Sequence, residues 1–208
     1  MARYTGPVCR ICRRYGEKLM LKGDKCVTKC TLEKRPTPPG QQATGRRRKL
    51  SDRALQLREK QKGRYSYGVL EKQFVSYYKG AVRQPGVTGE NLVRQLEMRL
   101  DNVVHKMGYG DSLAQARQFI NHGHISLNGR KTSTASASTK PGDVVGWTAR
   151  GRKTEAFKYA QENMPSKQIP AWLNVDANAM SGRVLSAPAV GEMVGKFDPA
   201  VIVEYYSR

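Results

Sequence analysis

The sequence predicts an α+β fold, and three observations support that prediction. Before residue 110, apolar residues recur every three or four positions in several stretches, which is the spacing of amphipathic helices. Residues 124–127 read as a strand and are followed by Asn-Gly, a strong signal of a hairpin turn. Residues 1–45 show neither pattern. We therefore expect an irregular N-terminal segment, a mainly helical domain, and a module of two helices with a small antiparallel sheet.

The helical domain is predicted to begin after a proline-rich connector, since Pro36, Pro38 and Pro39 disfavour helix. The pattern predicts a helix over residues 50–62, which residues 63–66 interrupt. Its expected cap and inner side chains are Ser51, Leu55 and Leu57. A second amphipathic stretch spans 69–80, and residues 85–89 form a turn.

The module is predicted to open with one long helix whose apolar face includes Leu92, Leu96, Leu100, Val103, Val104 and Met107. A shorter helix follows, with Asp111 or Ser112 as cap and Gly123 at its end. The hairpin then turns at Asn128-Gly129. The side chains expected to point outward from this platform are Arg99, Lys106, Arg117, Gln118, His122, Arg130 and Lys131.

The remainder of the chain is predicted to contain one more helix and several short strands. The helix is expected over residues 154–164. The strands are expected over 144–147, 171–175, 183–185 and 200–203.

The net charge points to a polyanionic partner. The chain has 37 Lys and Arg against 17 Asp and Glu, a net charge of +20, and 22 basic against 7 acidic residues lie in positions 1–90. Nucleic acid neutralises such a surface, although acidic lipids also attract one. The sequence contains no apolar run of about 18 residues, and no signal peptide or lipidation motif is recognisable. We expect a soluble, cytoplasmic protein.

Four cysteines lie in the first 30 residues and suggest a metal site. Cys9, Cys12, Cys26 and Cys30 form C-x2-C, thirteen residues, then C-x3-C. Paired thiolates at this spacing are typical of structural, tetrahedral zinc. An iron–sulfur cluster is the main alternative, and free or disulfide-bonded thiols are another.

No catalytic signature is recognisable, so we do not expect an enzyme. His122 and His124 are too close for a helical two-histidine metal site, and no carboxylate cluster accompanies them. RNA contact or a surface position is the better interpretation of the histidines. The tyrosines near residues 65–67 and 77–78 could stack on bases or lie in the core. The run Arg46-Arg47-Arg48-Lys49 is either a solvated surface or a strip that follows an RNA strand.

Separate motifs in one order give the chain a resemblance to a known family. LEMRLDNVV, AQARQFINHGHISLNG and KPGDVV resemble the RNA-binding module named after ribosomal protein S-four. MARYTGPVCR, LSDRALQLREKQKGRYSYGVLEKQF, TGENL and IVEYYSR extend the resemblance to the family of bacterial small-subunit S-four ribosomal proteins over nearly the whole chain. The resemblance implies that the module is inserted into a discontinuous helical domain. The expected divisions are 1–45 (zinc-binding segment and connector), 46–90 (helical domain), 91–164 (module and following helix) and 165–208 (packing on the helical domain).

The resemblance also implies a function. It suggests a primary 16S rRNA-binding protein that nucleates assembly of the subunit body, contacts ribosomal protein S-five, influences translational accuracy and, in some relatives, represses its own messenger. Arg46, Arg47 and Lys49 would line the path by which messenger RNA enters. The expected rRNA-binding residues are Arg3, Arg10, Arg13, Arg14, Arg53, Arg58, Lys62, Arg64, Lys72, Arg99, Lys106, Arg117, His122, Arg130 and Lys131.

Three further expectations concern two alternative functional classes and the packing of residues 132–139. The module also occurs in RNA-modifying and tRNA-charging enzymes, but no catalytic domain or nucleotide-binding signature is recognisable in this chain. A zinc-bearing DNA-binding regulator would need a recognition helix, whereas a proline-rich stretch follows Cys30. Residues 132–139 are almost all small and polar where the family usually has larger apolar residues, so we expect weak packing there.

Overall fold

The computed structural model describes residues 3–40, 49–164, 167–189 and 197–207. Five strands and a short 3₁₀ turn at Gly151–Lys153 lie within these ranges. The strands are β1 (Ile125–Leu127), β2 (Arg130–Lys131), β3 (Val144–Trp147), β4 (Leu173–Asp176) and β5 (Ser181–Val184). The helices in the same ranges are α1 (Cys9–Tyr15), α2 (Lys25–Thr28), α3 (Thr31–Lys34), α4 (Asp52–Ser66), α5 (Glu71–Val82), α6 (Thr88–Glu97), α7 (Leu100–Lys106), α8 (Leu113–Asn121), α9 (Glu155–Asn163) and α10 (Pro199–Ser207).

The chain forms two compact units. Unit 1 comprises residues 1–93 and 194–208, and unit 2 comprises residues 94–193. A discontinuous unit with an inserted module is therefore present, as the resemblance implied. The expected place of residues 165–193 needs correction, because β4 and β5 add to the sheet of unit 2 through pairing between β3 and β5. Helix α10 packs on α4 of unit 1, as expected.

In unit 1, α4 packs against α10 through a face that sequence reasoning misassigned. Leu55 and Leu57, expected inside, are 46% and 39% exposed. The helix is also continuous through the expected interruption. Gly63 is buried there, and a Cβ on it would lie 3.2 Å from Ile202 Cδ1, so its lack of a side chain permits the close approach of α10. The Ser51 cap is confirmed, since its hydroxyl accepts from Ala54 N at 3.4 Å.

The C-terminal element is helix α10, not the strand expected at residues 200–203. The β-branched residues of this stretch favour a strand by local propensity, but packing against the rest of unit 1 stabilises a helix instead. The ring of Tyr206 stacks on that of Tyr78 with centroids 4.7 Å apart, and its hydroxyl donates to Glu71 Oε1 at 2.9 Å. At its start, Ala200 N donates to Asp198 Oδ1 at 2.8 Å.

Unit 2 is built on an antiparallel sheet of order β2-β1-β3-β5-β4. The predicted hairpin is confirmed: Asn128 and Gly129 have φ of +51° and +77°, as the mirror-image turn of a two-residue hairpin requires. The helices cover a core that contains both tryptophans, Trp147 and Trp172. Among the helices described, none is long and apolar enough to cross a membrane.

The predicted long helix is divided into α6 and α7. Arg99 is extended, with φ −73° and ψ 139°, and forms an isolated antiparallel bridge with Ser138. Leu100 N donates to Ala137 O at 2.8 Å. The apolar spacing does not reveal this break, because both helices bury their apolar residues.

The same contacts correct the expectation of weak packing at residues 132–139. Thr139 donates to Met98 O through both its amide, at 2.8 Å, and its hydroxyl, at 2.9 Å. Asp101 N donates to Ala135 O at 3.1 Å, and Ala135 is fully buried. Small side chains allow this stretch to lie against the start of α7, where backbone hydrogen bonds replace apolar bulk.

Candidate nucleic-acid interface

The turn from α8 into the hairpin presents basic side chains to solvent. Ser112 caps α8 by accepting from Gln115 N at 3.3 Å, and Gly123 ends the helix with a φ of +74°. These local signals were predicted and are confirmed. Together with the hairpin they leave His122, Arg130 and Lys131 exposed, as expected.

A second histidine and an arginine join this edge. The rings of His122 and His124 have centroids 5.8 Å apart. Burial lowers the pKa of His124, and the neighbouring His122 and Arg150 lower it further. A Cβ on Gly123 would collide with the side chain of Lys131, so this lysine crosses the helix end.

Arg99 and Arg117 do not face outward, which overturns that expectation. They are 2% and 7% exposed, and both bind the fully buried carboxylate of Asp101. Arg99 donates from Nε to Oδ1 at 3.0 Å and from Nη2 to Oδ2 at 2.8 Å, while Arg117 donates from Nε to Oδ2 at 3.0 Å. Because a buried guanidinium requires a carboxylate partner, both arginines hold the module together.

Lys106 is also engaged within the module. Its Nζ lies 3.0 Å from Glu97 Oε2, and Glu97 accepts from Asn102 Nδ2 at 2.6 Å. Lys106 is half-buried, so only part of its side chain remains available to a ligand.

Several expected rRNA-binding residues of unit 1 are likewise structural. Lys62 is buried and donates to both Glu17 Oε1 and Glu59 Oε1 at 2.7 Å. Burial opposes the charge of Lys62, but these hydrogen bonds outweigh it and raise its pKa. Arg58 donates to the carbonyl oxygen of Tyr15. These contacts join the N-terminal segment to α4.

The remaining expected residues differ in exposure. Arg13 donates to Thr37 O at 2.9 Å, and Arg64 lies over the ring of Tyr65 with its Cζ 4.3 Å from the centroid. Arg53 donates to Tyr205 O at 2.8 Å while remaining exposed. The other exposed members in unit 1 are Arg3, Arg10, Arg14 and Lys72.

Tyr65, Tyr67 and Tyr78, which the sequence left open between base stacking and the core, pack against other aromatic side chains of unit 1. Tyr67 is buried against Phe197 in the core of unit 1, and half-buried Tyr78 stacks on Tyr206. Tyr65 instead packs near the N-terminal segment, with its ring centroid 5.8 Å from that of Tyr4.

The four cysteines lie on or beside short helices. Cys9 and Cys12 are on α1, Cys26 is on α2, and Cys30 precedes α3. No disulfide joins any two of these four cysteines, and Lys22 N donates to Cys26 Sγ at 3.3 Å. Within the described ranges, no three metal-ligating side chains converge on one point.

The three residues expected along the messenger path are Arg46, Arg47 and Lys49. Arg46 and Arg47 lie outside the described residues, whereas Lys49 is exposed just before α4.

Comparison with known proteins decides the family. Residues 3–97 match the model of the ribosomal protein S4/S9 N-terminal domain, and residues 98–145 match that of the S4 domain. The small ribosomal subunit protein uS4 of Dehalococcoides mccartyi is 52% identical over the full length of both chains. The proteins of the same name from Heliobacterium modesticaldum and Pelotomaculum thermopropionicum are 49% and 48% identical over the full length of both. The chain belongs to the uS4 family of ribosomal proteins.

Membership of the uS4 family confirms three expectations. The chain is a structural ribosomal constituent and not an enzyme, its S4 domain is an RNA-binding module, and its place is the cytoplasmic ribosome. Sequence reasoning considered His124 as an RNA contact or a surface residue, but it missed Arg150 in the basic edge and the buried anion Asp101. Arg150 approaches the hairpin only through the pairing of β1 with β3, and the role of Asp101 depends on Arg99, which precedes α7, and on Arg117 of α8.

Proposed function

We propose that this protein is a primary 16S rRNA-binding constituent of the small subunit that nucleates assembly of the subunit body. The observation that carries the proposal is the 52% and 49% identity to uS4 proteins over the full length of both chains. Contact with ribosomal protein S-five, an influence on translational accuracy and translational autorepression extend the proposal, and they rest on the family resemblance alone.

The exposed basic edge of unit 2 supplies a physical basis for RNA binding. Arg130 and Lys131 stand on the outer strand of the sheet, and His122 is exposed beside them. Such groups contact phosphates regardless of base identity, so the protein would recognise the shape of a folded RNA. Arg99 and Arg117 would act indirectly by fixing the module.

Binding to a transcript of the 16S rRNA 5′ domain tests this proposal. Affinity should fall steeply as salt rises, because each neutralised phosphate releases counterions. The variant Arg130→Ala/Lys131→Ala should reduce the slope of log K against log salt by about 0.7–0.9 for each phosphate that it no longer neutralises. Lys158→Ala is the matched control, since Lys158 is exposed but paired with Glu155 at 2.8 Å. Affinity that does not change with salt would contradict the proposal.

We also propose that Cys9, Cys12, Cys26 and Cys30 hold one structural zinc ion. The donor set fits, because four thiolates satisfy tetrahedral zinc and leave no open position for a substrate. The thiols are also close enough that the other three oppose ionisation of Cys12, whose pKa is raised mainly by burial. A bound ion would remove that repulsion and hold α1, α2 and the start of α3 together.

Metal analysis of protein purified without chelator tests the zinc proposal. We expect about one zinc per chain. We expect Cys26→Ser/Cys30→Ser to abolish binding and to loosen the N-terminal segment, whereas unit 2 keeps its unfolding midpoint. Iron with sulfide, or no metal, would overturn the proposal.

The messenger contact is the third part of the proposal. Lys49 is exposed, and Arg46 and Arg47 precede it in a run of four basic residues. We expect ribosomes with all three replaced by alanine to slow at a stable messenger hairpin but not on an unstructured messenger, because several sequence-independent contacts act together. Equal slowing on both messengers, or on neither, would contradict this role.

A further inference from the structure

Four groups that carry or can acquire positive charge surround the turn between α8 and β1. His122 follows the last residue of α8, and its ring lies 5.8 Å from that of His124. Lys131 comes from β2 and crosses Gly123. Arg150, from the segment after β3, acts on His124 electrostatically. The pairing of β1 with β2 and β3 brings these separate segments together.

The backbone of this turn is fixed without help from the four side chains. Thr148 Oγ1 donates to the carbonyl oxygens of Gly123 at 3.1 Å and His124 at 3.3 Å, and Thr148 N donates to His124 O at 2.8 Å. Gly151 packs so closely that a Cβ there would clash with the backbone of His124. The cluster is therefore preorganised, while its side chains remain available to a ligand.

The positive charge of this cluster is uncompensated in the described part of the chain. No salt bridge there involves His122, His124, Lys131 or Arg150. Nδ1 of His124 is buried and has no hydrogen-bond partner among the described residues. Burial and the neighbouring His122 and Arg150 lower the pKa of His124 in the free protein, and an anion placed among these groups would reverse the effect of the neighbouring charges.

We propose that His122, His124, Lys131 and Arg150 bind one RNA phosphate group and that His124 takes up a proton from solvent when it binds. The proposal rests on the RNA-binding function given above and deepens it. The groups that face His124 are His122 at the end of α8 and Arg150 after β3, while Lys131 on β2 lies beside Gly123. Thr148 and Gly151 pack on the backbone of His124. A phosphate adds the negative charge that this set lacks, so binding and protonation favour one another.

The test is the affinity of the full-length protein for a 16S rRNA 5′-domain transcript at constant salt. We expect the wild type to bind about tenfold more tightly near pH 6 than near pH 8, as uptake of one proton permits. Calorimetry in buffers of different ionisation enthalpy should show the proton uptake directly. His122→Asn/His124→Asn, which retains His105, should bind with nearly the same affinity at both pH values.

Two further variants keep the result interpretable. Lys131→Gln removes a permanent charge, so it should weaken binding by the same factor at both pH values. Arg150→Gln removes both a permanent charge and a charge that repels protonated His124, so binding should weaken and the pH dependence should move to higher pH. A wild-type affinity that is independent of pH, or a double variant that keeps the wild-type ratio, would overturn the proposal while leaving salt-dependent binding intact. A failure to bind the transcript at any pH and low salt would instead overturn the proposed function itself.

Discussion

Unit 2 uses the same kinds of basic side chain in two different ways. Around Asp101, two guanidinium groups are buried and share one carboxylate. On the hairpin, Arg130 and Lys131 are exposed, and within the described residues neither forms a salt bridge. The interior imposes a large desolvation penalty on an unpaired charge, whereas water and RNA phosphates accept one readily. Location, more than residue type, therefore separates the cations that maintain the fold from those available to a ligand.

The largest expected effect on stability comes from removing the buried negative charge of Asp101. Asp101→Asn leaves two guanidinium groups buried without an anion, and we expect it to lower the free energy of unfolding of unit 2 by about 3–5 kcal/mol. Urea unfolding followed by tryptophan fluorescence measures this, because both tryptophans lie in the core of unit 2. The control is Asp143→Asn on the partly exposed turn before β3, which should cost far less. Equal losses would contradict the special role of Asp101.

The sequence predicted the features that depend on near neighbours. The Ser112 cap, the left-handed Gly123 and the Asn128-Gly129 turn each rest on a few consecutive residues, and all three are present. Sequence reasoning failed where residues distant in the chain determine whether a side chain is buried. The burial of Arg117 depends on Asp101, sixteen positions away, and helical spacing alone placed that arginine outside.

The same limit explains the other errors. The strand expected at residues 200–203 follows β-branched propensity, which packing against α4 overrides. The inward placement of Leu55 and Leu57 assumed that apolar residues mark the buried face. The interior face of α4 instead contains Lys60 and Gly63. Lys60 can be buried because a carboxylate on α5 accepts its hydrogen bond, and Gly63 is buried because it lets α10 approach closely.

The pH dependence of stability should differ between the two units, and this effect is expected to be smaller. Burial lowers the pKa of His105 in unit 2, and Lys167 and Lys106 add to this despite its hydrogen bond to Gly110 O. The unfolded chain therefore binds the proton first. The stability from neutral His105 is complete above its unfolded pKa of about 6.5 and is lost as pH falls through the lower folded value. The fluorescence-detected midpoint should fall between neutral and mildly acidic pH, and less so in His105→Gln.

Glu71 of unit 1 should respond at lower pH. Burial opposes its ionisation, but hydrogen bonds from Lys60 and Tyr206 outweigh burial and lower its pKa. The stability from ionised Glu71 is complete above its unfolded pKa of about 4.3 and is lost as pH falls through the folded value. Helical circular dichroism reports both units, so a second, more acidic transition should appear there and diminish in Glu71→Gln. A single transition at one pH by both probes would contradict this distinction.

The smallest effect on stability is expected at the exposed hairpin. Arg130→Ala/Lys131→Ala should change the free energy of unfolding by less than about 0.5 kcal/mol, because neither side chain is buried against a charged partner. Thermal unfolding measures this, with Lys158→Ala as the matched surface control. A loss of stability as large as that of Asp101→Asn would show that the hairpin cations also maintain the fold.

Lysine modification of the free and rRNA-bound protein tests the central distinction most directly. Mass spectrometry after brief acylation reports the reactivity of each amine. Lys60 and Lys62 are buried and bonded to carboxylates, so they should react slowly in both states. Lys131 is exposed, so it should react readily in the free protein and become protected when the 16S rRNA 5′ domain binds, while Lys158 remains reactive. The account would be contradicted if Lys62 reacted readily in the free protein and became protected by RNA while the reactivity of Lys131 stayed unchanged.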